Sequence, residues 1–219
     1  MNALTTMPVE PRPLPASQRI TRLDPGANGI LMTVEEFLAL EQSDDCCRYE
    51  LINGVVVVNP PASDAEVGPN DELGRLLRNY KADHPQGKSL DDTFFERDVR
   101  TSVGIRRVDR AIYAGLGRKP NSRKDIPTIV VEFVSPGKQA YTRDYEEKRA
   151  EYLAVSAKEY WVIDRFRRTM TVFFQTPAAL DFRVVAEAEN YSTPLLPGFE
   201  LPLKRLLQLA DESSQEELA

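Results

Sequence analysis

Two acidic residues and a lysine stand at a spacing that suits catalysis. Glu132 lies inside residues 128–134, a short and nearly continuous apolar run, where an ionised carboxylate is costly unless a cation or hydrogen bonds compensate it. Asp109 precedes this run and Lys148 follows it. Carboxylates on two neighbouring strands can hold a hard divalent cation, and a nearby lysine can orient water or stabilise charge on a phosphate. Metal-dependent hydrolysis of phosphodiester bonds can use such an arrangement.

A structural role is the alternative for the same three residues. Asp109 can pair with an arginine of its own strand. Lys148 can pair with Glu132, or with Asp144 one helical turn earlier. The spacing alone leaves both interpretations open.

The elements that position these residues follow from the hydrophobic pattern. Residues 128–134 are typical of a central strand buried on both faces, and Ser135-Pro136-Gly137 ends it. A helical pattern follows, in which Tyr145, Lys148 and Tyr152 are spaced i, i+3 and i+7. These three side chains are predicted to share one helical face, so Lys148 lies on an aromatic stripe.

The rest of the chain alternates between strand and helix patterns. Asn53-Gly54 is a strong hairpin signal between two short apolar runs. The predicted helices cover residues 33–42, about 70–83 and 201–210, and the remaining predicted strands cover 49–52, 55–58, 94–100, 105–113, 159–164, 169–174 and 182–185.

Length and composition bound the organisation of the 219-residue chain. Five prolines among residues 1–30 predict a disordered segment. Residues 31–210 are predicted to form one domain, and residues 211–219 are predicted to form an acidic tail. No apolar run approaches the ~20 residues of a membrane span, and no signal peptide is recognisable, so we expect a cytoplasmic protein without membrane contact. Cys46 and Cys47 are adjacent, which predicts reduced thiols and no metal-ligand spacing.

Charge is unevenly distributed along the chain. The net charge of −6 argues against DNA binding by bulk electrostatics, yet residues 97–124 are strongly basic. Solvated strand edges and a loop would also explain that composition. The predicted phosphate-contacting residues are Arg97, Arg100, Arg106, Arg107 and Arg110, together with the loop 118–124.

Several stretches resemble a known family. MTVEEFLAL, RYELINGVVVVNPPAS, RRVDRAIYAG, VVEFVSPGK, RDYEEKRAEYL, EYWVIDRFRRTMTVF and LPGFELPL occur in the order typical of the Uma family of restriction-endonuclease-like proteins, which belongs to the PD-(D/E)XK nuclease superfamily. The resemblance covers roughly residues 31–207. It implies an α/β (α+β) fold with a restriction-endonuclease-like core, in which a mixed β-sheet is flanked by helices, and a metal-dependent nuclease site.

The resemblance also implies roles for individual residues. Asp109 and Glu132 match the two metal-binding acids, and Lys148 matches a lysine that this family carries on the following helix. Glu50 matches an acid of the N-terminal motif, which would add a ligand or orient water; an exposed hairpin position is its alternative. The chain departs from the family pattern at several positions, for example at Val108, where a proline is usual.

The sequence thus predicts a Mg²⁺- or Mn²⁺-dependent endonuclease acting on DNA. The alternative is a catalytically inactive nuclease-fold protein that binds nucleic acid or another protein. One site cuts one strand at a time, so double-strand cleavage would favour a homodimer.

Overall fold

The computed structural model describes residues 20–40, 42–121, 123–177 and 179–216. These residues form two compact units, one made of the described residues up to Pro61 with Val103–Ile105, the other of Ala62–Ser102 and the described residues from Arg106 onward. The single domain expected over residues 31–210 stays a prediction.

The first unit is built on a β-hairpin. Its elements are a 3₁₀ turn (Pro25–Ala27), helix α1 (Val34–Ala39) and strands β1 (Arg48–Ile52) and β2 (Val55–Asn59). Asn53 and Gly54 join the strands at φ values of 51° and 78°, a left-handed geometry that these two residue types tolerate, so the hairpin is as predicted. Thr33 and Glu36 cap α1 reciprocally, as its N-terminal pattern indicates.

The proline-rich start of the chain departs from the prediction where it is described. Residues 1–19 lie outside the described residues. Within residues 20–30, which we expected to be disordered, Leu23 and Ala27 are buried in one cluster with Phe37 and Leu51. Residues 20–30 can pack because the hairpin offers an apolar face for them to cover. The composition of residues 20–30 alone does not reveal that face.

The second unit carries the larger sheet. Its elements are α2 (Asp64–Asp83), a 3₁₀ turn (Gly87–Ser89), β3 (Leu90–Thr101), β4 (Gly104–Ala114, which begins in the first unit), β5 (Ile129–Phe133), α3 (Lys138–Thr142), a π-helical turn (Arg143–Glu147), α4 (Lys148–Ala154), β6 (Glu159–Asp164), β7 (Thr169–Gln175), β8 (Leu180–Ala186), β9 (Asn190–Tyr191), β10 (Leu201–Pro202) and α5 (Leu203–Glu216). Its strand order is β4-β5-β6-β7-β8, with β3 also paired to β4. The β5–β6 pair is parallel, whereas β4–β5, β6–β7 and β7–β8 are antiparallel. The sheet is therefore mixed, as predicted.

Strand β5 is buried on both faces, as its apolar run predicts. Every residue of β5 is buried. Val131 packs in a cluster that includes residues of α2 and α5, and Val130 packs in a second cluster with Tyr145 and Tyr152 from the π-helical turn and α4. Helices therefore cover both faces of the sheet.

Three helices have bounds that differ from the predicted ones. α1 ends at Ala39 and not near residue 42. α2 begins at Asp64, not near residue 70, because Ser63 and Glu66 form a capping box upstream of Pro69. α5 extends to Glu216 through part of the predicted acidic tail, and an ion pair of Asp211 with Arg168 (2.7 Å) holds this extension. Residues 217–219 of that tail lie outside the described residues. None of the helices within the described ranges has the length and apolar character that crossing a membrane requires.

Candidate active site

The register of β4 against β5 brings the two predicted acids together. Arg110 lies opposite Val131 in this antiparallel pair, so the next pair of positions is Asp109 and Glu132. Both side chains are buried. Asp109 Oδ2 accepts a hydrogen bond of 2.7 Å from the Phe133 backbone N–H, which fixes that carboxylate against β5.

Helix α4 brings Lys148 to the same place. Its Nζ lies 2.9 Å from Glu132 Oε2 and 3.6 Å from Asp144 Oδ1. Tyr152, one turn later, donates its hydroxyl to Glu132 Oε1 at 2.8 Å. The predicted stripe of Tyr145, Lys148 and Tyr152 is thus buried as expected.

A π-helical turn precedes Lys148 and was not predicted. Arg143–Glu147 forms this turn between α3 and α4. π-turns are rare, and they occur frequently at functional sites. Asp144, within the turn, is fully buried; its Oδ1 lies 2.9 Å from Arg143 Nε, and its backbone carbonyl accepts the Tyr160 hydroxyl at 2.9 Å. These contacts hold the turn, and with it Lys148, against the sheet.

The site gathers three buried carboxylates beside one buried lysine. Burial raises the pKa of Glu132 to about 8, and the negative charges of Asp109 and Asp144 act in the same direction, while Lys148 opposes them. An added cation is favourable beside a carboxyl group, such as that of Glu132, whose pKa is raised by burial and by neighbouring negative charges.

The donor set fits a hard divalent cation. Asp109 and Glu132 offer carboxylate oxygens, and Mg²⁺ is commonly bound through one or two carboxylates with water and substrate phosphate completing the shell. A carboxylate has about four acceptor positions, so the contacts of Glu132 with Lys148 and Tyr152 leave coordination capacity.

Glu50 belongs to the first unit, on β1. It is buried, and its Oε2 accepts a hydrogen bond of 3.3 Å from Asn59 Nδ2 on β2. The alternative of an exposed hairpin position is therefore wrong, because β2 supplies a polar partner at a buried position. Its role as a further site residue stays a prediction.

The five predicted phosphate-contacting arginines divide into two groups. Arg97, Arg100 and Arg107 are exposed or half-buried, and Arg107 contacts Glu96 and Asp98 at 3.2 and 3.1 Å.

The remaining two, Arg106 and Arg110, are buried, which corrects the prediction for both. Arg106 forms a two-point ion pair with Glu151 (2.8 and 2.5 Å), and Arg110 bonds Asn70 Oδ1 at 2.6 Å. Burial lowers the pKa of Arg110 to about 10. Neither guanidinium has a surface left for a phosphate, because acceptors on α4 and α2 already occupy it.

Sequence reasoning assigned no active role to three residues that shape the site. Tyr152 lay on the predicted stripe, Asp144 entered only as an alternative partner of Lys148, and Asn70 had no assignment. Asn70 donates to the Asp109 carbonyl at 2.9 Å and so holds β4 beside α2. The i, i+4 spacing between Asp144 and Lys148 was the sequence signal that could have identified Asp144. Nothing in the sequence pointed to Asn70.

A second cluster, in the first unit, was also missed. Cys46 Sγ lies 3.0 Å from Asp44 Oδ1 and 3.3 Å from Cys47 Sγ, so within the described part of the chain these three could reach one ion. The hydrogen bond to Asp44 raises the pKa of Cys46 to about 12. The two cysteines are unbridged thiols, as predicted.

The mixed sheet flanked by helices is the architecture that the resemblance to restriction-endonuclease-like proteins implied. The model of the Uma2 family, described as "Putative restriction endonuclease", matches residues 34–204, and the chain therefore belongs to that family. The resemblance inferred from the motifs is confirmed.

A solved structure shares the fold. It is a crystal structure from Anabaena variabilis described as "a putative nuclease belonging to DUF820", with a TM-score of 0.62 and 16% sequence identity over 82% of this chain and 99% of that one. At this identity the likeness shows the fold alone. No curated protein matches the chain.

Proposed function

We propose that this chain is a Mg²⁺- or Mn²⁺-dependent endonuclease that hydrolyses phosphodiester bonds in DNA. The observation that carries the proposal is the placement of Asp109 and Glu132 side by side on paired strands, with Lys148 Nζ 2.9 Å from Glu132. Membership of a nuclease family supports the reaction class. Cytoplasmic location stays a prediction.

Each residue of the site has a distinct task in this proposal. Asp109 and Glu132 would hold the cation, which would supply a positive charge for the phosphate and a lowered pKa for water bound beside it. Lys148 places a positive charge beside Glu132, where it can stabilise charge that develops on the phosphate oxygens. Tyr152 fixes the orientation of Glu132 through its hydroxyl, and the Phe133 N–H does so for Asp109.

The solvent-accessible arginines of β3 and β4, together with the basic residues of the loop 118–124, are the proposed contacts to the DNA backbone. Arg97 and Arg100 are exposed on β3, and Arg107 is half-buried on β4. Guanidinium groups contact phosphates without reading sequence, so this set supports binding but not specificity. A homodimer, which double-strand cleavage would favour, is part of the same proposal.

An inactive nuclease-fold binding protein is the second candidate. The observation that favours it is the mutual pairing of the site: Glu132 contacts both Lys148 and Tyr152, and Asp109 accepts the Phe133 N–H. Such a network is also what a purely structural ion pair looks like.

Calorimetric titration with Mn²⁺ and Mg²⁺, run beside cleavage of supercoiled plasmid and single-stranded DNA, tests the proposal. We expect E132Q to lose both cation binding and nicking, and K148M to lose nicking by about 10²-fold or more while it keeps cation binding. E146Q, which changes an exposed acid of the same π-helical turn, and K158M, which changes an exposed lysine, are matched controls that retain activity.

The outcomes separate the two candidates. Binding of neither cation and no cleavage by the native chain would refute the nuclease proposal. Native DNA binding that persists unchanged in E132Q and K148M, without cleavage by any variant, would establish the binding protein instead.

A further inference from the structure

Strand β8 is a sheet edge with one exposed apolar face, and the alternate positions carry the exposed Asp181 and Arg183. It pairs along its whole length with β7, and no other described strand pairs with its outer side. Leu180, Phe182 and Val184 point to one face, where they are 47%, 59% and 50% exposed. Proteins usually protect an edge strand with charges, prolines or a bulge, because open backbone groups invite pairing with another chain. An edge with three exposed apolar residues is thus a candidate for a partner strand.

The exposed face of β8 continues the hydrophobic core. The Phe182 ring lies 6.0 Å from the Phe173 ring on β7, and Phe173 belongs to the cluster that contains Tyr145 and Tyr160. A strand added beside β8 would therefore extend an existing apolar layer.

The backbone of β8 shows which residues face the open edge. The Phe182 N–H donates to Asp181 Oδ1 at 2.8 Å, and the Ala186 N–H donates to Glu189 Oε2 at 3.2 Å. Both donors bond nearby side chains, and the Ala186 carbonyl accepts the Glu189 N–H at 2.9 Å, which indicates that even-numbered residues direct their backbone groups outward. Both bonds are solvent-exposed, so an incoming strand can replace them.

We propose that β8 pairs with β8 of a second copy of this chain, antiparallel, with Phe182 on the two-fold axis. In this register Phe182 lies opposite the partner's Phe182, and Leu180 lies opposite the partner's Val184. Asp181 lies opposite the partner's Arg183, and by symmetry this pair forms twice. The outward-facing residues oppose one another, as hydrogen-bonded pairs of an antiparallel ladder require.

Charge selects this register over its neighbours. Centring the pair on residue 181 places Asp181 opposite the partner's Asp181, and centring it on residue 183 places two arginines opposite each other. Like charges directly opposite destabilise a strand pair, whereas opposite charges stabilise it. The short strand is thus self-complementary both in apolar residues and in charge.

Strand β8 would be the contact surface of the homodimer that the proposed function includes, so this proposal rests on that one. The experiments below measure the oligomeric state and not DNA cleavage, so a negative result can be distinguished from failure of the nuclease proposal.

Charge reversal with rescue is the first test, with the dimer dissociation constant measured by analytical ultracentrifugation. D181R replaces two opposite-charge pairs with two like-charge pairs and is expected to weaken the dimer by roughly tenfold or more. The double variant D181R/R183D restores opposite charges and is expected to recover native dimerisation. A native chain that stays monomeric, or a double variant no better than the single one, overturns the proposal.

Disulfide trapping tests the axis independently, in a background with Cys46 and Cys47 changed to serine. Opposed residues in a hydrogen-bonded pair have Cα atoms about 5.5 Å apart, within disulfide range, so F182C is expected to form a cross-linked dimer on mild oxidation. V184C is the matched control, because residue 184 would lie about 13 Å from the partner's residue 184. Equal cross-linking of both variants, or of neither, overturns the register.

Discussion

At the scale of single residues, Glu132 is the decisive group. Its carboxylate is buried beside Asp109 and Asp144, and its pKa is raised to about 8 by burial. A carboxyl group whose pKa is higher in the folded than in the unfolded protein stabilises the fold at low pH; that contribution is complete below its ordinary value of 4.5 and is lost as pH rises through about 8. The metal-free site therefore works against folding at the pH where it would bind a cation.

The raised pKa predicts a pH dependence of cation binding. A metal ligand must be deprotonated, so we expect the apparent Mn²⁺ affinity to increase with pH up to about 8 and then level off, with a proton released on binding at about pH 7. Calorimetry in buffers of different ionisation enthalpy measures that proton. An affinity that does not change over this range would show that Glu132 is ionised before the cation arrives.

Tyr152 offers a second test at the same scale. Y152F removes the 2.8 Å hydrogen bond to Glu132 but keeps the ring, so we expect a loss of about 1 kcal/mol in the free energy of unfolding and a lower cation affinity. Tyr113 is the matched control: its hydroxyl is buried and, among the described residues, has no hydrogen-bond partner, so Y113F is expected to be neutral or stabilising. Urea denaturation of both variants makes the comparison; equal losses would contradict it.

At the scale of elements, the attachment of α4 to β4 positions Lys148 relative to Asp109. Arg106 on β4 and Glu151 on α4 form a buried ion pair, and Thr101 on β3 donates to Glu151 at 3.2 Å. Lys148 and Glu151 are one turn apart on α4, so this pair anchors the helix close to the site.

The buried pair predicts a non-additive mutant series. E151L leaves the Arg106 charge buried without its principal partner and is expected to cost about 3–5 kcal/mol in the free energy of unfolding, whereas R106M/E151L replaces both charges and is expected to recover most of that loss. Denaturation of R106M, E151L and the double variant measures the coupling. Additive losses would mean that the pair contributes nothing as a pair.

At the scale of the whole molecule, the proposed function requires an acidic chain to bind an acidic polymer. The net charge is −6, and burial removes Arg106 and Arg110 from the predicted contact set. Under the proposal, DNA binding would then depend on the exposed cations of β3 and β4 and of the loop 118–124. This implies weak binding with a shallow dependence on salt.

The salt dependence of DNA affinity tests that view. If only the three arginines of β3 and β4 contact phosphates, the slope of log K against log salt is expected to be roughly −2.7, and contacts from the loop 118–124 would make it steeper. R97Q is expected to reduce the magnitude of the slope by about 1. R75Q is the control, because Arg75 already pairs with Glu72 at 2.7 Å on α2. Fluorescence anisotropy over a salt series measures both slopes; a native slope near −10 would require a larger basic surface than the exposed arginines supply.

Local patterns in the sequence determined the elements that carry the site. Asn53-Gly54 specifies its hairpin through backbone conformations that few other residue pairs accept, and the β-branched run around Glu132 specifies a buried strand. The i, i+3, i+7 spacing placed Lys148 on the buried face of its helix. These features depend on residues within a few positions of one another, so periodicity and propensity suffice to predict them.

Only the tertiary structure decided which charges became part of the interior. Three arginines of β4 differ in burial. Arg106 and Arg110 are buried, because Glu151 and Asn70, both distant in sequence, accept hydrogen bonds from their guanidinium groups. Arg107 remains half-buried beside Glu96 and Asp98. Burial of a charge depends on partners that the fold brings close to it. A local sequence pattern does not predict such contacts, because the partners are distant in sequence.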